Sequence, residues 1–224
     1  MATQPSVAVL RWALRAVFVL LLSGMELSIL SMTKAFGWGD IPAQAYRYRP
    51  LVLRAAQAEA GPDAPVALFA AQLAQESGWN PEAVSPVGAR GLAQFMPATA
   101  RDMGRMRADL GPALPTNPVW AVRALVAYDM QNQRRIRAAS SFDLWAMTLS
   151  AYNGGLGWVW RDQALAQAQG YDRARWWEHV EQVNSGRSVA AWRENRGYPK
   201  RIMRRLMPVY VSAGWGRGVD HAGN

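Results

Sequence analysis

Beyond residue 50 the chain has no convincing run of alternating apolar and polar residues, and this constrains its fold more than any other feature. Apolar positions recur instead at helical spacing between strong breakers. Residues 51–60 read as a first short helix. Gly61-Pro62-Asp63 supplies a turn and an N-cap ahead of a second helix over 64–77. Asn117-Pro118 pairs an N-cap with a first-turn proline and opens a long helix to about Arg137. Further helices are expected at 98–109, 141–151, 156–168, 172–183, 187–195 and 198–211, with one isolated turn at 91–96 ended by Pro97. Gly37, Gly39, Pro42 and Pro50 mark 33–50 as a linker. The expected architecture is mostly α: a single helical domain over 41–212, an N-terminal segment over 1–40 and a flexible tail over 213–224.

Composition narrows the chemistry. The 224 residues contain no cysteine, which excludes disulfides, a thiol nucleophile and cysteine-ligated zinc. With two histidines, His179 and His221, a histidine-rich metal site is not expected either. Neither a metal nor an organic cofactor is implied. The net charge of +9 is almost all arginine, and it belongs to the part beyond residue 40, because the first forty residues hold three cations against two acids. Such a bias favours a polyanionic partner or is simply a basic, soluble surface. There is no helix-turn-helix signature, RNP-type motif or zinc finger, so nucleic acid is not expected as a partner.

The N-terminal segment begins with Arg11 and Arg15, followed by an apolar run from Ala16 to Leu22 that continues with interruptions to Met32. This pattern fits an export signal or a weak membrane anchor. The run is shorter than the roughly 20 apolar residues of a spanning helix, and Glu26 would be costly at mid-membrane. Ala43-Gln44-Ala45, the best small-x-small match, lies well past it. An amphipathic helix packed on the domain or on a partner is the alternative. Membrane association through residues 7–32 is therefore an expectation. The domain is expected in the cell envelope, periplasmic and either free or anchored to the inner membrane, or else phage-encoded and exported. A monomer is expected.

Phe69, Leu73 and Glu76 lie at i, i+4 and i+7 of the second helix and share one face. That places a carboxyl on a buried stripe, beside Trp79. An apolar setting raises a carboxyl pKa and keeps a proton available near neutral pH, which suits a general acid. A buried ion-pair glutamate would look the same at this level. The segments downstream of Glu76-Ser77 separate the two. They are Ser85, then Gly91-Leu92-Ala93-Gln94 and Met96, then Ala151-Tyr152-Asn153-Gly154-Gly155, and finally Glu194 four residues before Tyr198.

In order and spacing these segments resemble the soluble lytic transglycosylase family, whose domain has a goose-lysozyme-like fold. The family's motifs are Glu-Ser, Gly-Leu-Met-Gln, Ala-Tyr-Asn, and a glutamate four residues before a tyrosine. The resemblance spans roughly 50–205, and it departs at Ala93, where the family has methionine. It implies cleavage of the β-1,4 bond between N-acetylmuramic acid and N-acetylglucosamine in peptidoglycan glycan strands, leaving 1,6-anhydromuramic ends. Glu76 would be the single acid and base. Ser85, Gln94, Met96, Tyr152, Asn153, Tyr198 and Glu194 would line the substrate site. Tyr152 and Tyr198 as core tyrosines, and Glu194 as an ion-pair partner for an arginine, are the plainer alternatives. Two functional alternatives stand beside the leading one: a goose-type lysozyme, for which Asp102 and Asp109 are candidate second carboxylates, and a non-catalytic wall-binding or assembly protein. Trp79 is a candidate sugar platform.

Overall fold

The computed structural model describes residues 41–220; the expected signal or anchor over 1–40 lies outside them. Eight α-helices follow one another: α1 (Arg49–Ala60), α2 (Val66–Ser77), α3 (Pro97–Met106), α4 (Pro118–Gln133), α5 (Ser141–Gly154), α6 (Leu156–Ala168), α7 (Val189–Arg201) and α8 (Met207–Ser212). A 3-10 turn at Ala43–Tyr48 leads into α1, and others lie between helices at Ala108–Leu110 and Val180–Gln182. Among the described residues there is no strand, only isolated antiparallel bridges joining Arg90 to Val84 and to Phe95.

The central element is α2. Every residue from Val66 to Leu73 is buried, so the helix is enclosed on all sides rather than carrying the single apolar face expected of it. It packs against α1, α8 and the turn before α8, while α4 pairs with α1 and α5, and α5 with α6 and α7. Phe69 meets Trp145 of α5 edge-to-face at 5.5 Å. Phe95 meets Trp120 of α4 in the same way at 5.5 Å. Such ring pairs add about 0.5–1.5 kcal/mol each to the burial of their area.

The helix starts follow the local chemistry. The Asn117 side chain accepts from the N–H groups of Val119 and Trp120, and Pro118 fills the first turn. Ser140 caps α5 by accepting from the Asp143 N–H. The α6 bounds match the expected 156–168. At α2 the expected Asp63 cap is absent: the helix starts after Pro65, and no side chain caps it.

Four expectations fail for identifiable reasons. The segment 91–96 is a tight loop, in which Arg90 and Phe95 exchange both backbone hydrogen bonds at 3.0 and 3.1 Å. Pro97 opens α3 rather than ending a turn. Residues 172–183 are turns, because the N–H groups of Trp176 and Trp177 are taken by the Asp143 carboxylate instead of by the preceding helical turn. The two helices expected at 187–195 and 198–211 are joined. α7 runs through Gly197 and Pro199, and a wide π turn over Ile202–Leu206 carries it into α8. The tail expected to be flexible is packed in its described part: Trp215 is buried, and the Ala67 N–H donates to the Arg217 carbonyl at 3.0 Å.

Candidate active site

Glu76 occupies the last turn of α2, which stops because Gly78 enters the left-handed region at φ 57° and Trp79 follows at φ 70°. Some of the Glu76 side chain reaches solvent, but its carboxyl lies among buried groups. Burial pushes it from 4.5 up to about 8; the Tyr198 hydrogen bond opposes that rise, Glu194 adds to it, and Arg201 opposes it. At neutral pH the group therefore holds its proton.

Tyr198, buried on α7, donates its hydroxyl to Glu76 Oε1. The two residues are 122 positions apart, so this contact joins the first and last sequence motifs. Arg201 lies one turn after Tyr198, and its Nε donates to Gln75 Oε1 at 3.2 Å. A Cβ at Gly197 would meet Arg201 Nη1 at 2.7 Å, so the glycine makes room for the guanidinium to fold back along its own helix. Glu194 is half-buried on the same helix. Burial raises its carboxyl, while a hydrogen bond from Asn153 and the Arg201 charge lower it.

The second motif forms a tight loop tied to the site through Tyr152. Gln94 adopts φ 47°, and its amide donates to the carbonyls of Gly91 (2.9 Å) and Ala83 (3.1 Å). Gly91 cannot be anything larger: its φ is 74°, and a Cβ would lie 1.8 Å from the Pro115 carbonyl oxygen. Ala93, where the family has methionine, is fully buried, and its carbonyl accepts the Tyr152 hydroxyl at 2.6 Å. The position therefore faces the interior. Ser85 holds the preceding turn by accepting the Ala89 N–H at 3.0 Å. Met96 sits half-buried at the N-cap position of α3.

All four motifs therefore converge. Glu76, Tyr198, Glu194 and Asn153 are linked by the hydrogen bonds and charges just described, and Tyr152 ties the Ala-Tyr-Asn segment to the Gln94 loop. Tyr198 bonds the carboxyl directly; Tyr152 is spent on the backbone. Trp79 is not a sugar platform. It is buried, donates to the Tyr210 hydroxyl at 2.7 Å and stacks on Tyr48 with ring centres 6.0 Å apart. The candidate second carboxylates are committed elsewhere. Asp102 pairs with Arg105 on the exposed face of α3. Asp109 accepts from Arg107 and Arg123, and Arg107 holds it down to about 2.

Sequence reasoning missed Arg201, which no spacing singled out among so many arginines. It also missed a fully buried pair below Glu76, in which Gln72 Nε2 donates to Asp129 Oδ1 at 3.5 Å. Burial raises the Asp129 carboxyl well above the usual range. The signal was present: Asp129 falls in the apolar stripe of α4 with Val122 and Leu125. Among the described residues no cluster of His, Asp and Glu could hold a metal ion.

Residues 54–174 match the model of the transglycosylase SLT domain, more than half of the chain, and the chain belongs to that family. The matched stretch ends before Glu194 and Tyr198. A membrane-bound lytic murein transglycosylase F of Hahella chejuensis is 36% identical over 104 residues, covering 46% of this chain and 19% of the relative. The enzyme of the same name from Vibrio cholerae is 35% identical over 111 residues, 49% of this chain and 19% of its own length. The matches thus span about a fifth of these relatives. Among solved structures, the soluble lytic transglycosylase SLT70 of Escherichia coli superposes with TM-score 0.53 at 24% identity, covering 75% of this chain and 24% of that one. An inactive glutamate-to-glutamine mutant of Slt from Pseudomonas aeruginosa superposes with TM-score 0.57 at 22% identity, covering 91% and 31%. At these identities the likeness concerns the fold.

Proposed function

We propose that this chain is a peptidoglycan lytic transglycosylase, with Glu76 as its single acid and base. The observation that carries the reading is a carboxyl held protonated to about pH 8 and fixed by the Tyr198 hydroxyl, on a domain of the SLT family. Glu76 first gives its proton to the leaving oxygen of the β-1,4 bond between N-acetylmuramic acid and N-acetylglucosamine. The resulting carboxylate is stabilised by Tyr198 and by the Arg201 charge. It then takes the proton of the muramic C6 hydroxyl as that oxygen attacks C1, which closes the 1,6-anhydro ring and regenerates the acid. Water is not consumed. The substrate's own acetamido group stabilises positive charge at C1, one of the exceptions to the two-carboxylate scheme. Ser85, Gln94, Met96, Asn153 and Glu194 bind and orient the sugars, and the Tyr152 ring lines the site while its hydroxyl holds the Ala93 carbonyl. The enzyme works on glycan strands in the cell envelope, with residues 7–32 as its membrane attachment and no nucleic acid as partner.

The test is mass spectrometry of products from purified peptidoglycan digested with the full chain. Ends one water lighter than hydrolytic products and resistant to borohydride support the reading. Reducible ends mean a goose-type hydrolase. Glu76→Gln is expected to lower turnover by about three orders of magnitude, since the reading gives this one residue both the acid and the base role. A folded chain with no products at all points to a wall-binding protein.

A further inference from the structure

Between Asn153 and the interior runs a chain of hydrogen bonds whose polarity cannot be reversed. It starts at Asp162 of α6, fully buried, whose Oδ2 accepts from Arg196 Nη2 at 2.8 Å and also from Arg187 Nη1. Arg196 Nη1 then donates to Asn195 Oδ1 at 2.8 Å. An arginine can only donate, so the oxygen of the Asn195 carboxamide must face it. The Asn195 nitrogen must therefore face the other way. There it donates to the Ser150 carbonyl at 2.9 Å, a group that can only accept, and to Asn153 Oδ1 at 2.9 Å. The Ser150 hydroxyl donates back to Asn195 Oδ1 at 2.8 Å. Asn195 is 1% exposed, so no water competes for these bonds.

We propose that Asn195 is a positioning residue that locks the Asn153 carboxamide with its oxygen turned inward and its NH2 turned toward Glu194 and the substrate. Asn153 then meets the glycan as a donor only, and the group it recognises is an acceptor: an acetamido carbonyl or a sugar oxygen. This role rests on the functional reading proposed for the site and adds to it the direction of one bond. Gly154 fits the same scheme, because a Cβ there would lie 2.8 Å from Asn195 Nδ2.

The experiment uses the full chain carrying Glu76→Gln and a tetramer of β-1,4-linked N-acetylglucosamine as probe. Asn195→Asp keeps the acceptor for Arg196 but removes the donor to Asn153. Gly154→Ala keeps the Asn195 carboxamide but displaces it, and alanine favours the helix. Each change is expected to weaken tetramer binding about ten-fold, the worth of one hydrogen bond. On the Glu76 enzyme each should raise KM more than it lowers kcat. The side-chain NH2 signals of Asn153 in a nitrogen-15 spectrum should move in both variants while the melting temperature holds within a few degrees. Unchanged Asn153 signals and unchanged binding in the two variants would overturn the proposal. If the parent chain binds no tetramer and cleaves no wall, the functional reading fails instead, and the Asn153 signals alone decide the role of Asn195.

Discussion

Two blocks of the molecule support the site, and they are built on different physics. Where α2 ends stands an aromatic block: Trp79, Tyr48, Tyr210 and Trp215, with Trp79 and Trp215 rings 5.4 Å apart and one internal hydrogen bond. Beneath Asn153 stands a charged block: Asp162 between Arg187 and Arg196, with Asn195 completing it. The first excludes water and fixes where α2 stops. It has no polarity to transmit. The second is saturated with directional bonds and dictates which atom of Asn153 faces out. Burial raises the Glu76 pKa; geometry of donors and acceptors aims Asn153. One site needs both, and a single kind of core would supply only one of them.

The comparison breaks most sharply at Asp162. Asp162→Ala leaves two buried guanidinium groups without their shared carboxylate and should cost about 3–5 kcal/mol, read from denaturant unfolding. Next comes a gain. Glu76 is charged above about 4.5 when unfolded and above about 8 when folded. Between those values the native state holds the extra proton, so this group's contribution to stability falls as pH rises through that window. Glu76→Gln should therefore stabilise the chain by about 4 kcal/mol at pH 8 relative to pH 4, measured by melting at both. Trp79→Phe removes one bond and some volume from the aromatic block and should cost about 1–3 kcal/mol, with the pH profile of activity unmoved. The smallest effect is at Tyr198. Its bond lowers the Glu76 pKa, so Tyr198→Phe should move the alkaline limb of kcat/KM up by about one unit. A downward move would mean that the hydroxyl favours the protonated acid.

Legibility in the sequence divides along the same line. Glu76, Asn153, Glu194 and Tyr198 stand out as candidates because their motifs are short and local, and the α4 start because Asn117-Pro118 is a local cap. The features that escaped depend on distant partners. Nothing in the neighbourhood of residues 172–183 reveals that Asp143 takes two of their N–H groups. Pro199 reads as a breaker, yet tertiary packing carries the helix past it. Trp79 sits beside the acid in sequence but points into the core. Asn195 looks like any polar helix residue until Arg196 and Ser150 are placed around it.

The packed end of the chain has a practical consequence. Because the Arg217 carbonyl receives the Ala67 N–H, the C-terminal strap finishes the uncapped beginning of α2, the helix whose other end carries Glu76. Cutting the protein at 212, or abutting a bulky fusion there, would unfasten α2 at its root. The smallest folded domain that can be engineered from this chain is longer than its sequence motifs suggest.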